Sequence, residues 1–330
     1  MDSESSNSAG WTPCRALAQP TRFPVVPKLS RMEDSSPTVE RAMLTRAVRI
    51  FVARHASAAG ATGATGVTQG NSFASFPCPS GLGAWFELSV SLSGDPRQNN
   101  GCVATLADLD SAVRATAIRI LRDALFFRED FARAQPALLV HELSSGLESA
   151  LGRPIDMLQW RITPFHEVVW RQDMPTHTTV TSTFEFAASH RMHDASLSEE
   201  LNRTQFGKCN WPHGHGHNYR VEVSVSADVS NPPSMAALEE EVCRHVIERF
   251  DHRNLNLDCP EFARQNPSVE NIATVCFALL ENPLRARGMD LRAVRVWETS
   301  KTSATVEAVP VKTTRIELQR SGVRGETVHA

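Results

Sequence analysis

The 330-residue sequence can be laid over itself. His55 falls on His190, the run Gly81-Leu82-Gly83-Ala84-Trp85-Phe86 on Gly214-His215-Gly216-His217-Asn218-Tyr219, Pro136 on Pro267, and Trp160-Arg161 on Trp297-Glu298. The offset stays between 131 and 137 residues across these separated anchors. Such an internal repeat constrains the fold before any local reading does, because each copy must be the same structural unit. Within the first copy, 47–55 and 81–93 alternate as strands, and 105–127 carries apolar residues at helical spacing. Pro136 opens a second helix to 151, and 157–163 and 165–170 close the unit as strands. The second copy repeats the order, with strands over 179–190 and 219–227, then helices over 235–250 and 267–280. Asn266 is the expected cap of the latter helix, and strands over 292–299 and 305–310 follow. Strand pairs flanking helix pairs predict an α+β fold of two tandem ββααββ units, antiparallel sheets with helices on one face.

The expected organisation is a disordered Ser/Pro-rich leader over 1–40, a first copy over 41–172, a second over 178–319 and a loose tail over 320–330. A Gly/Ala/Thr/Ser-rich loop fills 56–75. Hydrophobic residues make up 41 %, enough for real cores, and the net charge of −3 provides no global field for nucleic acid or anionic membrane. No apolar run approaches the ~20 residues of a membrane helix. Seven scattered cysteines without a CxxC pair predict reduced thiols in a cytoplasm rather than a disulfide framework.

Chemistry concentrates in the second copy. Cys209-Asn-Trp-Pro-His213-Gly-His215-Gly-His217-Asn-Tyr219 places a thiol and three imidazoles in a short span, and an alternating strand pattern follows. Residues two apart on a strand share a face, so His215 and His217 can converge on one ion. A hairpin partner ending in Phe-Ala-Ala-Ser-His190 would supply the third imidazole that a catalytic zinc site requires. The opposing reading is a solvated polar turn, which a lone histidine would favour and this cluster does not.

These residues resemble the 6-pyruvoyltetrahydropterin synthase family, which includes the related 6-carboxytetrahydropterin synthases. The resemblance rests on His190 with its preceding strand, the block from Phe206 to Tyr219, Phe250-Asp-His-Arg-Asn-Leu-Asn256, Asn266-Pro-Ser-Val-Glu-Asn-Ile-Ala273 and Val296-Trp-Glu-Thr299. It covers roughly 178–310 and implies the tunnelling fold, whose sheets close into a barrel across a homo-oligomer. It further implies that His190, His215 and His217 hold Zn²⁺, with His213 outside the ligand set. Cys209 is then the proton-abstracting base, its thiolate favoured by zinc and Lys208. Asp251-His252 is a second acid/base pair, and Glu298 binds the pterin ring through two parallel hydrogen bonds. Ser268 would be a further ring contact, and Arg191 and Lys208 the cations for the triphosphate. The segment before the first helix of this copy, 227–235, lacks the Gly-Met-Val-like turn usual in the family.

The first copy lacks this set. Leu82 and Ala84 fall on two zinc histidines, and Arg161 on the pterin glutamate, so it reads as a non-catalytic copy kept for assembly. The function expected is a zinc-dependent lyase eliminating triphosphate from 7,8-dihydroneopterin triphosphate. The competing readings are a 6-carboxytetrahydropterin synthase on the same substrate and a pterin-binding scaffold without turnover. A zinc hydrolase lacks the glutamate base that would sit beside the histidines.

Overall fold

Alternating side chains build one antiparallel sheet whose apolar face lies under helices and whose other face is polar. The structure, a computed structural model, describes residues 41–55, 76–79, 81–98 and 100–309. The expected leader over 1–40, the loop over 56–75 and the tail over 320–330 lie outside the described residues, as does position 310.

The first half contains β1 (Ala42–Ala53), β2 (Gly83–Gly94), α1 (Leu106–Phe126), α2 (Pro136–Leu151), β3 (Met157–Thr163) and β4 (His166–Arg171). The second half begins with β5 (His177–His190), α3 (Glu199–Phe206) and β6 (His215–Asp228). Next come α4 (Met235–Val242), a π-helical turn (Cys243–Ile247), α5 (Glu248–Phe250), β7 (Arg253–Asn254) and α6 (Leu255–Asp258). The chain then forms α7 (Val269–Ala286), β8 (Asp290–Thr299) and β9 (Thr302–Glu307). The sheet runs β1-β2-β3-β4-β5-β6-β8-β9 without interruption, and β7 pairs with β5 off this path.

Several bounds differ from the sequence expectation for identifiable reasons. β6 begins at His215 rather than Tyr219, so the histidines belong to the strand itself. α7 runs six residues past the expected end, with Pro283 inside it, because its apolar face continues to Leu284. Its cap is Ser268, whose hydroxyl accepts from Asn271 N, and not Asn266. α3 escaped notice because its sequence is almost entirely polar, yet Ser198 caps it by accepting from Leu201 N.

One face of the sheet carries Val48, Ile50, Leu88, Val90, Val180, Val221, Val223 and Val294, all buried in a single core beneath the helices. The opposite face carries ion pairs, among them Arg49–Glu87 and Arg161 with both Glu87 and Glu167. β4 pairs with only the first part of β5, from Trp170 opposite Thr178 to His166 opposite Ser182. Beyond that point the β3–β4 turn gives a last bond, Thr183 N to Phe165 O at 2.9 Å. Farther along the same edge, β7 takes over beside Ala188 and Ser189.

Strand register corrects two positions of the sequence overlay. Val52 lies opposite Ala84 as Ala188 lies opposite His217, so Arg54 rather than His55 holds the place of His190. Leu88 opposes Trp160 as Val221 opposes Val296, so Ile162 rather than Arg161 holds the place of Glu298. Arg161 projects from the polar face instead, since neighbouring strand residues point to opposite sides.

Phe250 anchors the second half, fully buried against Phe186 and Phe262 with ring centroids 6.0 and 5.9 Å away. Phe250→Ala is expected to lower unfolding stability by about 3–5 kcal/mol. Leu257→Ala, at a side chain 81 % exposed, should change it by less than about 0.5 kcal/mol. Urea denaturation of both variants checks this, and equal midpoints would refute the assigned core.

Candidate functional site

The β5–β6 hairpin places His190 directly opposite His215, and His217 opposite Ala188, on the helix-covered face. The turn entering β6 depends on Gly214, whose φ is +68°, and a Cβ there would sit 2.6 Å from His190 O. Only glycine permits that approach. The three imidazole centroids lie 4.6, 5.1 and 4.7 Å apart. His190 Nε2 is 3.1 Å from His215 Nε2, and Glu298 Oε1 is 3.1 Å from His190 Nε2 and 3.4 Å from His217 Nε2.

One ligand atom from each of His190, His215, His217 and Glu298 lies within 4.8 Å of the others. His190 is almost fully buried, and its Nδ1 donates to Pro267 O at 2.7 Å. That bond turns Nε2 inward, as the outer hydrogen bond of a metal-ligating histidine does. With Nδ1 so committed, Nε2 can face the Glu298 carboxylate only with a proton or a cation between them. His217 Nε2 is buried with no hydrogen-bond partner. A cation at this point would satisfy these nitrogens together, so the donor set fits a metal. Its electrostatics agree. Burial holds the His215 and His217 imidazoles below their usual range, favouring the neutral form that ligates. The hydrogen bond with His190 holds the Glu298 carboxyl low, against burial. The resemblance implies a catalytic and ring-binding role for Glu298, outside the metal ligands. Its reach into the histidine cluster is set by the β6–β8 pairing, which no local sequence pattern marks.

Cys209 lies in the 3-10 turn Gly207–Asn210 after α3, and its carbonyl accepts from Met192 N at 2.8 Å, laying the turn against the exit of β5. Without a metal, burial first, and the Glu298 charge second, push the Cys209 thiol up. Lys208 is exposed and forms no ion pair among the described residues, so it does not offset them. Tyr219 is fully buried, stacked on Phe186 at 5.1 Å and T-shaped to His217 at 5.5 Å, and its hydroxyl has no partner among the described residues.

Asp251 and His252 are tied to the edge of β5 at Ala187. Asp251 Oδ1 accepts from Ala187 N at 2.8 Å, and His252 N donates to Ala187 O at 2.6 Å. Asp251 Oδ2 accepts from His252 Nδ1 at 2.7 Å, which fixes the tautomer and leaves Nε2 free. The Ala187 amide, then His252, holds the Asp251 carboxyl low. His252 has φ +56°, a strained conformation for a non-glycine residue, and its side chain is 82 % exposed. It shares a cleft of about 650 Å³ with His217, Asn218 and Asn254. Among the described residues the dyad makes no hydrogen bond with Cys209.

The surrounding loops are held by asparagines to which the sequence assigns no role at the site. Asn256 accepts from Arg191 N and donates to Arg191 O, and Asn266 accepts from His193 N. The Arg191 guanidinium donates to Asn210 O and Oδ1. Ser268, expected at the substrate, uses its oxygen to cap α7. The one available signal was asparagine before proline at Asn266, which suits a helix cap equally well.

A raised pKa means that Cys209 in metal-free protein is a neutral thiol at pH 7, its thiolate appearing only as pH rises above the ordinary value of 9.0. Its alkylation by iodoacetamide, followed by peptide mass spectrometry, should therefore lag behind that of exposed Cys78 and Cys102. Zinc should move the Cys209 profile to lower pH. If Cys209 is the fastest-reacting of the three at pH 7 without metal, this electrostatic picture fails.

Comparison with known proteins bears on the half of the chain that holds the site. A family model described as 6-pyruvoyl tetrahydropterin synthase matches residues 179–309. The human 6-pyruvoyl tetrahydrobiopterin synthase is 38 % identical over 124 residues, covering 36 % of this chain and 84 % of that protein. The Drosophila melanogaster protein of the same name is 36 % identical over 120 residues, covering 35 % and 71 %. The solved structure of Caenorhabditis elegans 6-pyruvoyl tetrahydropterin synthase aligns at 32 % identity and a TM-score of 0.38, over 40 % of this chain and 96 % of that one. The matched span runs from β5 to β9 and contains the three histidines, Cys209, the dyad and Glu298. The chain belongs to the 6-pyruvoyl tetrahydropterin synthase family.

Proposed function

We propose that the chain is a zinc-dependent lyase that eliminates triphosphate from 7,8-dihydroneopterin triphosphate to give 6-pyruvoyltetrahydropterin. The observation that carries the reading is the convergence of His190, His215, His217 and Glu298 on one point inside the half that matches the family. The three histidines would hold the zinc. When bound, it polarises side-chain oxygens of the substrate and acidifies the C–H bonds beside them. Cys209 then takes a proton from carbon onto sulfur. Asp251 holds His252 by Nδ1, so Nε2 exchanges the second proton with the substrate. With the histidines engaged by zinc, the Glu298 carboxylate would accept two parallel hydrogen bonds from the pterin ring. Ser268 can donate its hydroxyl hydrogen to the same ring. Arg191 supplies positive charge for the triphosphate.

Residues 41–172 are read as a non-catalytic copy, since Arg54, Leu82, Ala84 and Ile162 at the equivalent positions offer no metal donor set. Their role is assembly. Among the described residues β1 and β9 end the sheet with one edge unpaired, and such edges invite strand addition, which supports closure in a homo-oligomer. The six described cysteines are free thiols, and no described helix is long and apolar enough to cross a membrane. Free thiols support a reducing, cytoplasmic setting.

Incubation of the zinc-loaded chain with 7,8-dihydroneopterin triphosphate, with products identified by mass, tests the reading. Inorganic triphosphate and 6-pyruvoyltetrahydropterin are expected. 6-Carboxytetrahydropterin with acetaldehyde would reassign the product, and absence of turnover would leave a binding protein. Cys209→Ala should keep one zinc per chain by metal analysis while kcat falls by about 10²–10⁴. Loss of zinc along with activity would make the thiol a ligand rather than a base. Glu298→Gln preserves size but turns an acceptor into a donor, so pterin affinity should fall about 10- to 100-fold by calorimetry, the size of a charge-assisted bond. Unchanged affinity would remove Glu298 from the ring.

A further inference from the structure

The chain has one tyrosine, and it stands beside the expected metal centre. Tyr219 is fully buried, and its hydroxyl has no partner among the described residues. Packing accounts for the ring. It lies opposite Phe186 across the β5–β6 pair, is stacked on it, and meets His190 edge to face at 6.0 Å. Phenylalanine would fill that space as well. The oxygen is therefore the unexplained atom, because a buried hydroxyl that bonds to nothing carries the full cost of lost hydration.

Its neighbour across the sheet offers an acceptor. Val221 opposes Val296 and Arg220 opposes Trp297, so the next positions along this antiparallel pair are Tyr219 and Glu298. Tyr219 lies two residues from buried Val221, and Glu298 two from buried Val296, which puts both on the helix-covered face. Burial first, then the Glu298 and Cys209 charges, push the phenol up, which marks these two groups as its charged neighbours. Glu298 Oε1 rests on His190 Nε2 and His217 Nε2, and among the described residues the carboxylate has no other hydrogen bond or ion pair. A metal that takes those two nitrogens removes both partners from a carboxylate only 18 % exposed. A donor without an acceptor then adjoins an acceptor that has lost its donors.

We propose that Tyr219 is a positioning residue for Glu298: with the three histidines on zinc, its hydroxyl donates to the carboxylate and holds it toward the pterin ring. A carboxylate has several acceptor positions, so this bond and those from the ring coexist. Because stacking on Phe186 fixes the tyrosine ring, a charge-assisted bond from it also fixes the carboxylate. The part that concerns the pterin ring rests on the proposed function. The Tyr219–Glu298 bond itself rests on the β6–β8 register and on the two unmatched groups.

Because the tyrosine is single, an isotope label at tyrosine Cζ in the full chain gives one carbon resonance that needs no assignment. Zinc titration should move that resonance, and the movement should vanish in Glu298→Ala and persist in Cys209→Ala. Tyr219→Phe removes only the oxygen. This variant should still take one zinc per chain, about tenfold more weakly by calorimetry, the size of a charge-assisted bond formed together with the metal. Its urea midpoint without zinc should be no lower than that of the wild type, since no bond is lost there. In the zinc-loaded variant, affinity for 7,8-dihydroneopterin should fall by a similar factor. KM for its triphosphate should rise likewise, with kcat within about twofold, the signature of lost uniform binding. A tyrosine kept for packing alone would do the reverse, lowering the midpoint and sparing zinc, and that result overturns the proposal. So does bound zinc that leaves the resonance in place in a chain that still forms the pyruvoyl product, which keeps the function. A shift of equal size in Glu298→Ala would give the hydroxyl another acceptor, and tyrosinate absorbance on zinc addition would make it a ligand; either overturns the proposal. A zinc-dependent shift that needs Glu298, in a chain that makes no pyruvoyl product, keeps the bond and removes the proposed function.

Discussion

The register of one hairpin governs the site. His190 and His215 face each other because β5 and β6 are paired over their whole length, from His177 opposite Asp228 to His190 opposite His215. A slip of one residue would turn every side chain on one strand to the other face, carrying the histidines from the helix-covered side to the polar one. Gly214 fixes the entry to that register, since its backbone lies against His190 O, where no side chain fits. Buried Val221 and Val223, which continue the strand beneath the helices, make the register expensive to change.

Around the histidines, positioning is done largely by main-chain groups and asparagines. Pro267, which has no N–H of its own, presents its carbonyl to His190 Nδ1 just before α7 begins. Asn256 and Asn266 bind the backbone on the far side of His190, and Ala187 carries the Asp251–His252 pair on its own amide and carbonyl. Each contact satisfies a backbone group that the β5–β6 pairing leaves open. The same bonds that complete the fold therefore orient the chemistry. The strained backbone of His252 persists because its N–H donates to Ala187 O and its ring to Asp251, which is itself held by Ala187 N.

The sheet is continuous across the two halves, joined where β4 pairs with β5. The two halves use their equivalent hairpins differently. Opposite Val52 the first half has Ala84, whereas opposite Ala188 the second has His217. The first half spends its charged residues on the polar face, where Arg49, Glu87, Arg161 and Glu167 form one ion-pair chain. The second half brings a carboxylate, Glu298, to the helix-covered side.

Much of this was legible in the chain. Period-two and helical patterns gave the element order, and His-Gly-His followed by alternation gave a metal-binding strand, because side-chain direction in a strand depends only on parity. Parity also shows why the overlay misplaced His55 and Arg161. A shift of one residue is invisible to sequence offsets but reverses the face, and only the paired register resolves it. Nothing local marked Asn256, Asn266 or Pro267 O as supports of the site, since each acts across 65 or more residues of chain. The sequence by itself determined which side chains could ligate, abstract a proton or pair with a polyanion, as these are properties of residue type and short spacing. Tertiary structure alone decided that Glu298 reaches the histidines and that partial burial pushes the Cys209 thiol up, because burial and charge proximity exist only once distant segments are packed together.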